Sequence, residues 1–254
     1  MCRNSFIPNW LEFILGGTAD CFLPFYPGGT SPPKPGELYI ADYIQMNGRQ
    51  WIDTGVMITD TNPNISIEIK QRFLTVAGHH SNGKETAPRL EWGINGGFFY
   101  FNVGNESMLN IRAADTSPHH IYLSTQFRGG IDGDSVEFTG DSWSAGSESN
   151  LLIGSSLPEP NDHMSDTRVY FIKIYQGDIL IKHLRPFISE DGTACFLDIL
   201  NGTLYYNQGE GAFGAGGKIE LKDALLRDYD YTLLRYLDPQ TLGQMDKFNI
   251  VYPI

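Results

Sequence analysis

The chain has 254 residues, with 28 glycines, 14 prolines and a formal net charge of −12. That excess of acid argues against a phosphate-backbone partner, which requires a Lys/Arg surface, so no nucleic acid is expected. No run of about 18 apolar residues is present, so nothing reads as a membrane span; three unpatterned cysteines, Cys2, Cys21 and Cys195, indicate no disulfide framework and suit a reducing cytoplasm.

Residues 1–36 read as an N-terminal extended arm. Phe6–Leu15 is apolar, but Pro8, Asn9 and Glu12 interrupt it. Asp20 stands before Cys21, where a lipoprotein cleavage site wants a small neutral residue, so no cleaved leader is expected. Trp10, Phe13, Phe22 and Phe25 lie among apolar side chains too few to form a core of their own, and they are assigned to assembly contacts. Pro32-Pro33-Lys34-Pro35 then makes an extended, semi-rigid spacer.

Residues 37–215 read as one all-β antiparallel sandwich. Ile65, Ile67 and Ile69 alternate with Ser66, Glu68 and Lys70, the period of a strand with one wet face. Further strands are expected at Arg89–Ile94, Phe98–Val103, Met108–Ala113, Ile121–Phe127, Ser135–Thr139 and Asn150–Gly154. Turns are expected at Gly78–Gly83, Asn95-Gly96-Gly97, Gly104-Asn105, Gly129-Gly130 and Asp132-Gly133-Asp134. Ser155–Asp166, with Pro158 and Pro160, reads as a surface loop. Val169, Phe171, Ile172, Ile174 and Tyr175 then mark a strand and Gln176-Gly177-Asp178 its turn. Ile179, Ile181 and Leu184 mark the returning strand, which Arg185-Pro186 should end because proline has no N–H to donate. Cys195 lies in the next strand as a small hydrophobe. Ile65, Ile67, Ile69, Phe171, Ile174 and Phe196 are expected to face the inter-sheet core.

Gly209–Gly217 reads as a glycine-rich hinge into a small C-terminal docking tail, 216–254. Leucines at helical spacing through Leu237, and Asp238-Pro239 as an N-cap and first helical turn, make that tail partly helical. Tyr252, in its apolar tip, is assigned to assembly contacts.

Three runs carry a resemblance. They are Tyr43–Gly55 (YIQMNGRQWIDTG), Asn150–Gly154 (NLLIG), and the series Arg168-x-Tyr170-x-x-Lys173-Ile174-Tyr175, Arg185-Pro186, Asp191-Gly192, Cys195-x-x-Asp198 and Tyr205-x-Asn207-Gln208-Gly209. Together they resemble a concanavalin A-like (laminin-G-like) jelly-roll domain, of a version common in virion proteins of gut bacteriophages and surface proteins of their hosts. The resemblance implies a jelly-roll sandwich over 37–215; it leaves function open, since this fold hosts lectins, hydrolases, capsid proteins and adhesins.

Residue patterns that carry chemistry are sparse. Glycosidases on this fold need two carboxylates facing one cleft, whereas Glu68 and Glu91 each stand on a strand without an acid at i+2, and Asp132 falls in a turn. Calcium has candidate oxygen ligands in Asp132 with Asp134, or in Asn161, Asp162 and Asp166, though turn chemistry also accounts for these residues. The pairs His79-His80 and His119-His120 point to opposite sides of any strand, so neither pair chelates one metal. No Gly-x-Ser-x-Gly elbow occurs, and Gly211–Gly217 lacks the setting of a dinucleotide loop. Trp143, Tyr205 and Tyr206 are the aromatic candidates for stacking on sugar. The expectation is a non-enzymatic bacteriophage virion structural protein (tail, fibre or capsid-decorating) without a cofactor. It would be assembled in the host cytoplasm against other virion proteins and copies of itself. The alternatives are a carbohydrate-binding adhesion module for host surface glycan and, less favoured, a glycoside hydrolase.

Overall fold

The computed structural model describes residues 38–59, 64–76, 79–85, 89–108, 111–139, 149–157, 166–189 and 192–217. Trp10, Phe13, Phe22, Phe25, Trp143, Asn161, Asp162, Tyr252 and the expected C-terminal helix lie outside the described residues. Among the described residues there is no helix, and seventeen strands form two antiparallel sheets stacked as a β-sandwich.

In chain order the first strands are β1 (Leu38–Ile40), β2 (Ile44–Asn47), β3 (Ile52–Ile58), β4 (Ile65–Phe73), β5 (His79–Lys84) and β6 (Leu90–Asn95). Next come β7 (Phe98–Val103), β8 (Glu106–Met108), β9 (His119–Ser124), β10 (Arg128–Ile131), β11 (Asp134–Glu137) and β12 (Ser149–Ile153). The last five are β13 (Asp166–Gln176), β14 (Ile179–Ser189), β15 (Ala194–Asp198), β16 (Leu204–Tyr205) and β17 (Gly214–Ala215). The smaller, six-stranded sheet runs β3-β12-β5-β6-β7-β8, and the larger, eleven-stranded one runs β11-β10-β9-β4-β13-β14-β15-β16 with β1, β2 and β17 attached. One edge of β13 is shared: β2 pairs with Asp166–Val169 and β14 with Ile172–Gln176. The larger sheet therefore forks at β13.

Strict alternation builds the core. Ile65, Ile67, Ile69 and Phe73 of β4 meet Leu90, Trp92 and Ile94 of β6 and Phe99, Phe101 and Val103 of β7, all almost fully buried in one cluster. A hydrogen bond crosses that core, from Trp92 Nε1 to Gln71 Oε1 at 3.0 Å, and Gln71 Nε2 donates to Thr167 Oγ1 at 2.8 Å. Trp92, Gln71 and Thr167 thus satisfy one another, which offsets the cost of enclosing them. At the β14–β15 corner the sheet is buried on both faces. Phe196 enters the inter-sheet cluster, while Cys195 and Leu197 point the other way and are equally inaccessible.

Several expectations need correction. Phe171 does not join the inter-sheet cluster. The β13–β4 register slips between Val169 and Phe171, so one extra residue sends Phe171 to the outer face opposite Lys70. Pro186 does not end β14; it pairs with Phe196 inside the strand, and its carbonyl accepts the Ala41 N–H at 3.1 Å. Met108–Ala113 is not one strand: β8 ends at Met108, and Ala113 makes only an isolated bridge to Phe98. The strand expected at Ile121–Phe127 is β9, which starts earlier and gives way to a turn at Thr125. Gly83 and Gly129-Gly130 are strand residues, not turns. Close approach explains them: a Cβ on Gly83 would sit 2.0 Å from the Leu90 carbonyl oxygen, and one on Gly129 2.8 Å from the Phe101 ring. The expected hinge is pinned along β2: Gly214 pairs with Gln45, Gly216 N donates to Tyr43 O, and Phe213 enters the core. The turn expected at Asp132-Gly133-Asp134 is the two residues Asp132-Gly133, both at positive φ (52° and 91°) as in a tight two-residue hairpin, and Asp134 already opens β11, paired with Ile131.

Candidate binding face on the larger sheet

The alternation that buries the isoleucines of β4 turns Ser66, Glu68, Lys70 and Arg72 outward. Their cross-strand neighbours complete the outer face. Lys70 stands between Phe171 of β13 and His120 of β9, and Glu68 between Lys173 and Tyr122. Glu68 is the hub. One oxygen lies 2.8 Å from His120 Nε2, the other accepts the Tyr175 hydroxyl at 3.1 Å, and Lys173 Nζ is 4.0 Å away. The His120 hydrogen bond, with Lys173 and Tyr175 behind it, outweighs desolvation and holds the Glu68 carboxyl below the ordinary range. Burial and the adjacent carboxylate push the Tyr175 phenol up to about 12. The network therefore presents an ionised Glu68 and neutral Tyr175 at physiological pH.

Cations lie over rings along the same face. The Arg168 guanidinium is 4.4 Å from the Tyr43 ring centroid, Lys70 Nζ 5.7 Å from that of Tyr170, and Lys173 Nζ 5.2 Å from that of Phe171. Each contact steadies a long side chain that would otherwise sample many rotamers.

His119 sits on the opposite face of β9, against the Phe99 ring at 4.8 Å. Its Nδ1 lies 2.6 Å from Asp132 Oδ2 and its Nε2 3.1 Å from Asp115 Oδ1. Asp132 also meets Arg112 Nη1 at 3.2 Å, and its second oxygen accepts the His120 N–H at 2.9 Å. Burial raises the Asp132 carboxyl, but the His119 and His120 hydrogen bonds and the Arg112 charge prevail and leave it lowered. Asp134, nominated with Asp132 for calcium, is exposed and 3.9 Å from Arg112. The structure thus brings the two acids to a common arginine, and the cluster ties the β10–β11 hairpin to β9. Among the described residues no group of three or more His, Cys, Asp and Glu side chains gathers as a metal site.

Of the aromatic candidates, Tyr206 is exposed. Tyr205 is half-buried, its hydroxyl accepting from Lys182 Nζ at 2.7 Å and reaching the Thr54 carbonyl of the other sheet at a long 3.5 Å. Lys182 also lies 3.5 Å from the buried Asp198; burial alone would lower its pKa, but Tyr205 and Asp198 raise it. Glu91, the second lone strand acid, is buried on the outer face of the smaller sheet, where it accepts from Tyr100 Oη at 2.8 Å and Asn102 Nδ2 at 2.7 Å. The sequence alone does not name Tyr122, and it reads Lys70, Lys173 and His120 only as a wet-face residue, a motif position and half of a histidine pair, not as one site. The wet period of β4 was legible, but which strands flank it was not.

No protein-family model matches the chain, and no curated protein matches it.

Proposed function

We propose that the chain is a non-catalytic structural protein of the bacteriophage virion, a concanavalin A-like jelly roll docked into the particle through its termini. One observation carries the reading: the three runs that bear the family resemblance are strand partners of one another. β2 from the first run pairs with β13 from the third, and β3 from the first pairs with β12 from the second. Residues roughly 90 to 125 positions apart in sequence thus share a ladder, as a common domain pattern requires. The carboxylates support a role without catalysis. Glu91 and Glu68 are each bonded to neighbouring side chains of their own sheet, an arrangement that orders a surface. Its partners are other virion proteins and copies of itself, and assembly takes place in the host cytoplasm.

Mass spectrometry of purified particles tests this reading, together with deletion of residues 1–30. The chain should be found in the particle, and the deletion should keep the β-sheet circular dichroism while abolishing incorporation. Absence from particles, or normal incorporation of the truncated chain, would count against it. Hydrolysis of β-glucan, galactan or capsular polysaccharide that vanished on substituting Glu68, Glu91 or Asp132 would replace it with the hydrolase reading. A second reading, adhesion to host surface glycan, is favoured by the ordered cations and aromatic rings of the larger sheet's outer face.

A further inference from the structure

The outer face of the larger sheet carries a charge opposite to that of the chain. Across β4, β9, β10 and β13 the register places Arg72, Lys70, Lys173, Arg168 and Arg128 on this face, with Glu68 in their midst and two further acids at its ends, Asp166 beside Arg168 and Glu137 of β11 opposite Arg128. The whole chain has 30 Asp and Glu against 18 Lys and Arg. A polyanion is therefore drawn to this strip and repelled by the rest of the surface.

The strip also has an open aromatic ring. Tyr122 is 38% exposed, and across β10 its neighbour is Gly130, which has no side chain to cover it. In the same row, Glu68 and then Lys173 follow on the next two strands, spanning about 10 Å at ordinary strand spacing. A ring for the apolar face of a pyranose, a carboxylate to accept its hydroxyls and an ammonium for its acid group thus stand in one line. Lys173 and Lys70 already rest on rings, so little side-chain freedom is lost on binding.

We propose that this strip, centred on Tyr122, Glu68, Lys173 and Lys70, binds an acidic polysaccharide. Sugar would stack on Tyr122, and carboxylate or sulfate groups would meet the lysines. The inference rests on the adhesion reading and assigns it a site and a ligand charge. Nucleic acid fits less well, because its closely spaced phosphates would meet Glu137 at one end of the strip and Asp166 at the other.

The test is affinity electrophoresis and titration calorimetry of the full chain with polygalacturonate, heparin, dextran and double-stranded DNA at low salt. Retention by polygalacturonate or heparin is expected, the two separating carboxylate from sulfate recognition, with neither dextran nor DNA retained. Tyr122→Ala and the pair Lys70→Glu, Lys173→Glu should each weaken retention about tenfold or more, with circular dichroism unchanged. Lys173→Arg should keep most of it. Equal binding of DNA, insensitivity to these substitutions, or no retention by either acidic glycan would overturn the site. Retention of dextran that ignored all the substitutions would overturn the site while leaving the adhesion reading intact.

Discussion

His119 and His120 are adjacent on β9, yet they serve opposite faces of the larger sheet. His119 turns inward, its Nδ1 2.6 Å from Asp132, while His120 turns outward, its Nε2 2.8 Å from Glu68. The two-residue period of a strand makes this division unavoidable. One histidine anchors a hairpin, and the other orders a surface.

The two should therefore differ in energetic weight. His119→Ala removes a buried ring and one of the three partners of the Asp132 carboxylate, leaving Arg112 and the His120 N–H. A loss of about 2 kcal/mol is therefore expected in urea denaturation, most of it from the lost packing. His120→Ala removes a half-exposed partner of Glu68 and should cost less than about 1 kcal/mol. Equal losses would contradict the assignment of faces.

Acid should unfold the protein partly through Glu68 and Asp132, whose carboxyls both titrate below their ordinary values of 4.5 and 3.8. A group with a lowered folded pKa binds its proton more readily when unfolded. Its stabilisation is complete above the unfolded value and drains away as pH falls through the folded one. Urea midpoints measured from neutral pH downward should hold steady and then fall below the ordinary carboxylate range. Glu68→Gln should make that fall shallower; an unchanged slope would remove Glu68 from the account.

Cys195 is fully buried in β15 beside Phe187 of β14. In a Cys2→Ser, Cys21→Ser background a thiol-specific reagent should leave the native protein unlabelled, and labelling should rise with the same urea midpoint as the loss of β-sheet signal. Rapid labelling under native conditions would show that this side of the β14–β15 corner opens without global unfolding.

Three glycine-to-alanine substitutions should form a graded series. Gly83→Ala combines φ +101° with a Cβ 2.0 Å from a backbone carbonyl, and should prevent folding. Gly129→Ala presses on the side chains of Phe101 and Leu123, at 2.8 and 3.0 Å, and should cost about 1–3 kcal/mol. Gly133→Ala meets nothing within 4 Å but keeps φ +91°, so only backbone strain of about 1–2 kcal/mol is expected. Thermal melts of the three variants would check the order.

How much of this was legible in the sequence depends on range. Period-two alternation specified β4 and its buried isoleucines, and the Asp132-Gly133 and Gly96-Gly97 pairs specified their hairpins, because those choices are settled by sterics within a few residues. The opposed faces of His119 and His120 followed from the same period. Pairing across the sheet was beyond reach. β4 lies between β9 and β13, about fifty and about a hundred residues further along the chain, and nothing in Glu68 itself names His120, Lys173 and Tyr175 as its partners. The sequence also read Phe171 as core, because a bulge is a property of the ladder and not of the strand. One extra residue opposite Lys70 moves its ring to the outer face. Gly83 and Gly129 likewise looked like turn residues; only the backbone and rings packed against them reveal that they are strand positions with no room for a Cβ. Local geometry wrote the strands, and long-range register decided which side chains meet.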